Sequence, residues 1–327
     1  MVMTRTETEA PARVHRLYWW KEALIVVVFY LIYTGIRNRF GSNQIAADGL
    51  PEAAFHNAER VIRLERALGL YHEETIQDFF LGTRWFIQFW NVYYGTAHFF
   101  VTLIVFILLF FKRADVFPQW RNTLAAMTAL AIIGFAFFPL MPPRLLDQPC
   151  PNNNTEFGGA CVESSLRPGK DAVFTGDNGF GFVDTLSVFG GPWRFDSEEV
   201  ASISNQYAAM PSLHIGWSVW SAVAVWPLLR RKRTKALVLV YPIATLFCII
   251  VTANHFWLDG IGGLAVFAVG ALIGWGLHRW NQNRLDRRDA LDALLSEHTG
   301  TEPRSVRIGQ VASEILDDVS SDDSNSS

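Results

Sequence analysis

Ala209-Met210-Pro211-Ser212-Leu213-His214-Ile215-Gly216 stands where a long polar segment gives way to an apolar run. Proline is favoured at the first helical position, so Pro211 is expected to open a helix. The amides of Ser212, Leu213 and His214 then lack intrahelical acceptors and point out of the helix end. Such an end, with its partial positive dipole, suits an anion. Ser212 adds a hydroxyl donor, and His214 adds a group that exchanges a proton near neutral pH. The pattern reads as a phosphate cradle with a proton donor beside it. Pro-Ser before a helix is also ordinary capping chemistry, so the rest of the chain must decide.

The chain around it is that of an integral membrane protein. Of 327 residues, 50% are hydrophobic and only 18% are charged. The apolar residues come in blocks of near-spanning length. A formal net charge of -3 says little, whereas the placement of the charges says much. Three cysteines rule out a disulfide-dense scaffold, and no Cys-x-x-Cys pair suggests zinc. No nucleic-acid partner is expected.

The reading gives an all-α bundle of six transmembrane helices with a long extracytoplasmic loop. Residues 1–22 form a polar cytoplasmic tail, 23–279 the membrane domain and 280–327 a polar, largely disordered tail. The first span is Ala23–Gly35, with Trp19 and Trp20 at its edge as interfacial anchors. No small-residue cleavage site follows it promptly, so it is read as an uncleaved span. Residues 37–84 mix charges with Val61, Ile62, Leu64 and Leu68, an amphipathic helix lying on the membrane or capping the bundle. The second span covers Trp85–Phe111, the third Asn122–Leu140, the fourth Pro211–Leu229, the fifth Ala236–Asn254 and the sixth ends near Leu277. Gly270-x-x-x-Gly274 in the last permits close helix packing.

The segments rich in Lys and Arg are the N-terminal tail, Lys112–Arg121, Arg230–Lys235 and Arg279–Arg288. Six spans put all of them on one side, so both termini are expected in the cytoplasm of a multi-pass cell-membrane protein. Arg144 after the third span, His214 at the start of the fourth and His255 between the last two then share the outer face. Asn91, Tyr94 and His98, at i, i+3 and i+7 on one helical face, point to the same place as a substrate pocket, or else glue helices together. Residues 145–207 are a Gly- and Asn-rich loop of functional length. Within it, Cys150 and Cys161 can pair if that side is oxidising, which stabilises by roughly 3 kcal/mol on the chain-entropy account.

His255 and Asp259 stand four residues apart, so on one helical face the carboxylate can hold the imidazole, fix its tautomer and leave the other nitrogen free to attack. In-line displacement at phosphorus needs a nucleophile and, behind the leaving oxygen, a proton donor. His255 and His214 fit those roles, while Arg144, Ser212 and the helix end hold the remaining oxygens. This scheme uses no metal or other cofactor. The competing arrangement is a metal held by His98, His214 and His255. A transporter or scaffold is the non-catalytic alternative, but its charges would lie near the membrane midplane.

These residues resemble the type 2 phosphatidic acid phosphatase superfamily, and within it the inositol phosphorylceramide synthase branch. Pro211-Ser212-Leu213-His214 matches the family's Pro-Ser-Gly-His motif. His255 and Asp259 match the end of its Ser-Arg, five residues, His, three residues, Asp motif, with Cys248 and Ile249 at the Ser-Arg positions. Arg144 matches the arginine of the Lys, six residues, Arg-Pro motif, with Phe137 at the lysine and the prolines ahead of the arginine. The resemblance spans roughly Asn91 to Leu277. It implies a nucleophilic His255 forming a phosphohistidine, Asp259 as its orienter and His214 as acid/base. The substrate would be a membrane lipid phosphate, and the altered motifs fit transfer to a polyol acceptor better than hydrolysis, the lipid phosphate phosphatase alternative.

Overall fold

In a computed structural model, the described residues are 18–40, 50–146, 180–190 and 207–300. They form nine α-helices and, among the described residues, no strand. The helices are α1 Trp19–Phe40, α2 Leu50–Leu68, α3 Glu73–Leu81, α4 Arg84–Lys112, α5 Phe117–Phe137, α6 Thr185–Val188, α7 Leu213–Val225, α8 Lys232–Val251 and α9 Trp257–Thr299. Single 3₁₀ turns cover Pro143–Leu145 and Trp226–Leu228.

Four helices, α4, α5, α8 and α9, are long and apolar enough to cross a membrane. They coincide with the second, third, fifth and sixth expected spans. Helix α1 encloses the expected first span, so the count of six stays an expectation. The fourth differs more. Pro211–Leu229 was the expected range, but α7 holds 13 residues before the Trp226–Leu228 turn. At 1.5 Å per residue that is about 20 Å, short of the roughly 30 Å hydrocarbon layer. Pro227 inside the turn explains the early stop, because it has no N–H to continue the ladder.

The bundle is antiparallel, and cross-helix bonds fix its register. Trp220 Nε1 donates to the Trp120 carbonyl at 2.9 Å, and Trp217 Nε1 to Thr128 Oγ1 at 3.1 Å. Tyr93 Oη lies 3.0 Å from Thr245 Oγ1. Arg121 pairs with Glu22 of α1 at 2.6 Å, with both side chains largely buried. A Cβ on Gly270 would lie 2.7 Å from Met127 Cβ, and one on Gly274 would lie 2.7 Å from the Gln119 carbonyl. The glycine spacing therefore does bring α9 against α5.

Amphipathic helix α2 covers one end of this bundle. Phe55, Ala58, Val61 and Ile62 pack with Leu140, Met141, Phe180, Phe182, Ala253 and Phe256 in one apolar cluster. Residues 37–84 thus supply two helices, α2 and α3, rather than one. The break is Gly69, whose φ of 68° ends α2 with the Leu70 amide bonded back to the Glu65 carbonyl at 2.8 Å. Only glycine adopts that conformation at little cost.

Helix α9 runs on to Thr299, past residue 279, where a disordered tail was expected to begin. Ala290, Leu291, Ala293, Leu294 and Leu295 are strong helix formers, and the Ser- and Asp-rich composition sets in only later. The N-terminal tail, the remaining C-terminal tail and most of the 145–207 loop, including Cys150 and Cys161, lie outside the described residues.

Candidate active site

Three turns at the α2-covered end of the bundle meet at one point. The first follows α5, which stops at Phe137 just ahead of Pro139 rather than at Pro142 and Pro143, and Arg144 sits in a 3₁₀ turn that Pro143 opens. Its amide donates to the Ala253 carbonyl at 2.8 Å, which ties it to the second turn, between α8 and α9. There Ala253 takes a left-handed φ of 52°, a conformation L-residues seldom adopt and one that clusters at functional sites. The third turn leads into α7.

His255 lies just before α9 rather than on it, so the spacing of four does not place it on a common helical face with Asp259. The contact forms all the same. Asp259 Oδ2 reaches back over the helix start to His255 Nδ1 at 3.2 Å and also accepts the Phe256 amide at 2.9 Å. Asp259 is fully buried and His255 nearly so. A carboxylate only accepts, so Nδ1 carries the proton and Nε2 presents its lone pair.

Pro211 does not open α7. Ser212 is the N-cap and Leu213 the first helical residue. The Ser212 amide is also taken, since it donates to the Asp259 carbonyl at 2.9 Å. The anion-binding end expected at Ser212, Leu213 and His214 is therefore reduced to the amides after Ser212. In exchange, that bond ties the Pro-Ser motif to the residue orienting His255. Glycines make the fit possible: a Cβ on Gly134 would lie 2.7 Å from Pro211 Cδ, and one on Gly263 would run into the Ser212 carbonyl.

His214 is wedged among rings. Tyr94 stacks on it at 4.3 Å between centroids, His98 meets it edge-on at 4.2 Å, and His255 lies 5.6 Å away. The two imidazoles are thus near neighbours. Three buried polar atoms here have no protein partner among the described residues: Ser212 Oγ, His214 Nε2 and Arg144 Nε. Buried polar groups are normally satisfied. Three orphans converging beside a tautomer-fixed histidine mark a place for an oxygen-rich ligand.

The expected pocket residues divide. Tyr94 and His98 line His214, with His98 Nδ1 bonded to the Tyr94 carbonyl at 3.0 Å. Asn91 is buried, and its amide nitrogen donates to the carbonyls of Thr185 and Gly190 at 2.8 and 3.0 Å. It anchors the 180–190 segment instead of facing a ligand. Among the described residues, no three His, Cys, Asp or Glu side chains are arranged to hold a metal ion.

Several contributors escape a reading of motifs. Asp184 pairs with Arg144 at 2.8 Å and caps α6 through the amides of Leu186 and Ser187. An aspartate ahead of Thr-Leu-Ser was a legible capping signal, but nothing in the sequence links it to Arg144. Gln77 binds Val183 through both its amide groups at 2.9 Å. At the two weakened motif positions, Phe137 is exposed and Ile249 is buried with Ile215 and Ile250. Of the three positions where the resemblance expects a cation, only Arg144 carries one.

No curated protein and no solved structure gives a significant match to the chain. A family model does match, over residues 59–273, a stretch that takes in Arg144, Ser212, His214, His255 and Asp259. The chain belongs to the PAP2 superfamily.

Proposed function

We propose that the protein is a membrane-embedded phosphotransferase that takes a phosphoryl or phospho-headgroup from a membrane lipid phosphate onto His255 and passes it to an alcohol, in the manner of inositolphosphotransferases. Membership in the PAP2 superfamily points to a lipid enzyme of the phosphatase or phosphotransferase type. The observation that carries the chemistry is the Asp259–His255 pair facing His214 beside unpartnered Ser212 Oγ and Arg144 Nε.

His255 Nε2 attacks phosphorus, and the bond from phosphorus to the leaving oxygen breaks. The negative charge of the bound phosphate keeps His214 protonated, and His214 gives that proton to the leaving oxygen. Asp259 stabilises the imidazolium as charge develops. Arg144 and Ser212 donate to the remaining phosphate oxygens. In the second half an acceptor hydroxyl attacks the phosphohistidine, His214 takes its proton, and His255 is restored. Transfer is favoured over hydrolysis by the loss of two phosphate-binding cations at Phe137 and Ile249, and by the cover that α2 and the 180–190 segment place over the site. The site is assigned to the outer face of the cell membrane with both termini cytoplasmic. Lys112–Arg113 and Arg230–Lys235 lie at the opposite ends of the helices that carry Arg144 and His255, as the positive-inside rule asks.

The test is purified protein with labelled lipid phosphate donors, with and without inositol or other polyols, followed by product analysis. Labelled polyol phosphate and acid-labile label on the protein are expected. Brisk release of inorganic phosphate with no acceptor ever labelled would leave the hydrolase reading in its place.

A further inference from the structure

Glu65 of α2 and Glu73 of α3 are fully buried, and both reach the first turn of α9. Leu258 N–H donates to Glu65 Oε1 at 2.8 Å, and Trp257 N–H to Glu73 Oε1 at 3.2 Å. These are amides that a helix start leaves without intrahelical acceptors. The second oxygens, Glu65 Oε2 and Glu73 Oε2, are buried with no donor from any described residue. Because they hold the amides of consecutive residues, Trp257 and Leu258, the two carboxyls are drawn side by side. Two adjacent carboxylates cannot both stay ionised in such a place; one proton between them turns a repulsion into a hydrogen bond.

Among the described residues, neither carboxyl forms an ion pair with a cation. From α9 the facing group is Asp259, another carboxylate. From the turn between α2 and α3 it is Tyr71, whose phenol sits near Glu73 and Glu74 and carries the Arg66 guanidinium 4.8 Å from its ring centroid. Asp259 is one residue beyond Leu258, whose amide Glu65 holds. Through it the pair bears on His255 and, by the Ser212 amide, on the Pro-Ser turn.

We propose that Glu65 and Glu73 share a single proton and act as a clamp on the first turn of α9, positioning Asp259 against His255. The clamp rests on the phosphohistidine reading above. Burial and the neighbouring Glu73 push the Glu65 carboxyl up to about 9, so the proton stays through neutral pH. Above that the two carboxylates repel each other and part, the first turn of α9 is no longer held in place, and turnover falls by about tenfold per pH unit.

Two measurements test it. Glu65→Gln keeps a permanent N–H donor toward Glu73 and an oxygen for Leu258. It should match the wild type at neutral pH and lose the alkaline limb of the kcat profile, with KM unchanged. Glu65→Ala, which removes the cap, should lower kcat at every pH. Independently of activity, infrared difference spectra at neutral pH should show a protonated-carboxyl stretch in the wild type that Glu65→Gln lacks. If the band is the same in both proteins, no proton is shared and the clamp is wrong. If the band is lost but the alkaline limb does not move, the positioning role is overturned. A wild-type protein that shows the band yet turns over no lipid phosphate overturns the phosphohistidine reading, and the positioning role with it, while the shared proton stands.

Discussion

At the scale of single residues, the proposed chemistry rests on the buried Asp259 carboxylate, which holds His255 Nδ1 at 3.2 Å and leaves Nε2 free. His214→Ala should lower turnover by about 10²–10⁴-fold, the usual contribution of a positioned acid or base, and His255→Ala, which removes the nucleophile, by at least as much. More than a tenth of wild-type activity left in His255→Ala would rule out the covalent step. Asp259→Asn should be comparably severe with the fold kept, because the amide cannot stabilise the imidazolium. Arg144 poses a different question, since it pairs with Asp184 where both are largely buried. Removing the arginine alone leaves the buried Asp184 carboxylate with its helix-cap amides but without its cation, at about 3–5 kcal/mol. Arg144→Leu with Asp184→Leu should recover most of that in thermal unfolding but none of the activity. Recovery of activity would show that Arg144 is structural. Glu65 and Glu73 were not legible as site residues: their partners are backbone amides 193 and 184 positions away, and a backbone amide leaves no mark in a sequence.

At the scale of elements, the long apolar helices announced themselves through length and composition, whereas helix starts did not. Pro211 has the residue type of a first helical position, yet packing of its ring against Gly134 and Gly262 moves the start to Leu213. Tertiary contact overrode a local preference. Gly263 shows how tight that contact is, because an added Cβ would meet the Ser212 carbonyl. Gly263→Ala should therefore displace Ser212 and His214 together and cut kcat by an order of magnitude or more. Gly82→Ala is the matched control. Its φ is -63° and an added Cβ would meet nothing within 4 Å, so stability should hold or rise by about 0.4–1 kcal/mol with activity intact. Equal effects of the two substitutions on turnover would mean that the α7–α9 approach does not set the site. The opposite error occurred in α9, where composition suggested disorder from 280 but helix formers carry the helix to Thr299.

At the scale of the whole molecule, the sequence placed Arg144, His214 and His255 at one depth by counting spans, and the three turns do meet, although α7 is too short to count as a full crossing. Convergence needs only the alternation of chain direction, which a short helix preserves. The side of the membrane on which the turns meet is a separate matter, and Cys150 and Cys161 offer a way to read it. Both stand in the sequence between Arg144 and the Pro-Ser turn, outside the described residues, and are expected at the end of the bundle where those turns meet. If that end faces an oxidising compartment, the two thiols should be joined, because disulfides persist there and not in the cytoplasm. The third thiol does not confuse the measurement. Cys248 is buried, with Sγ bonded to the Trp90 carbonyl at 3.3 Å, so it should stay unlabelled until the protein unfolds. Intact cells treated with a membrane-impermeant maleimide should then give no labelling before reduction and labelling at Cys150 and Cys161 after it. Labelling without reductant would show an outer loop with free thiols, which removes the disulfide but keeps the orientation. No labelling even after reduction, with full labelling of both thiols once the membrane is opened, would put the loop and the site in the cytoplasm, and the positive-inside assignment would be inverted.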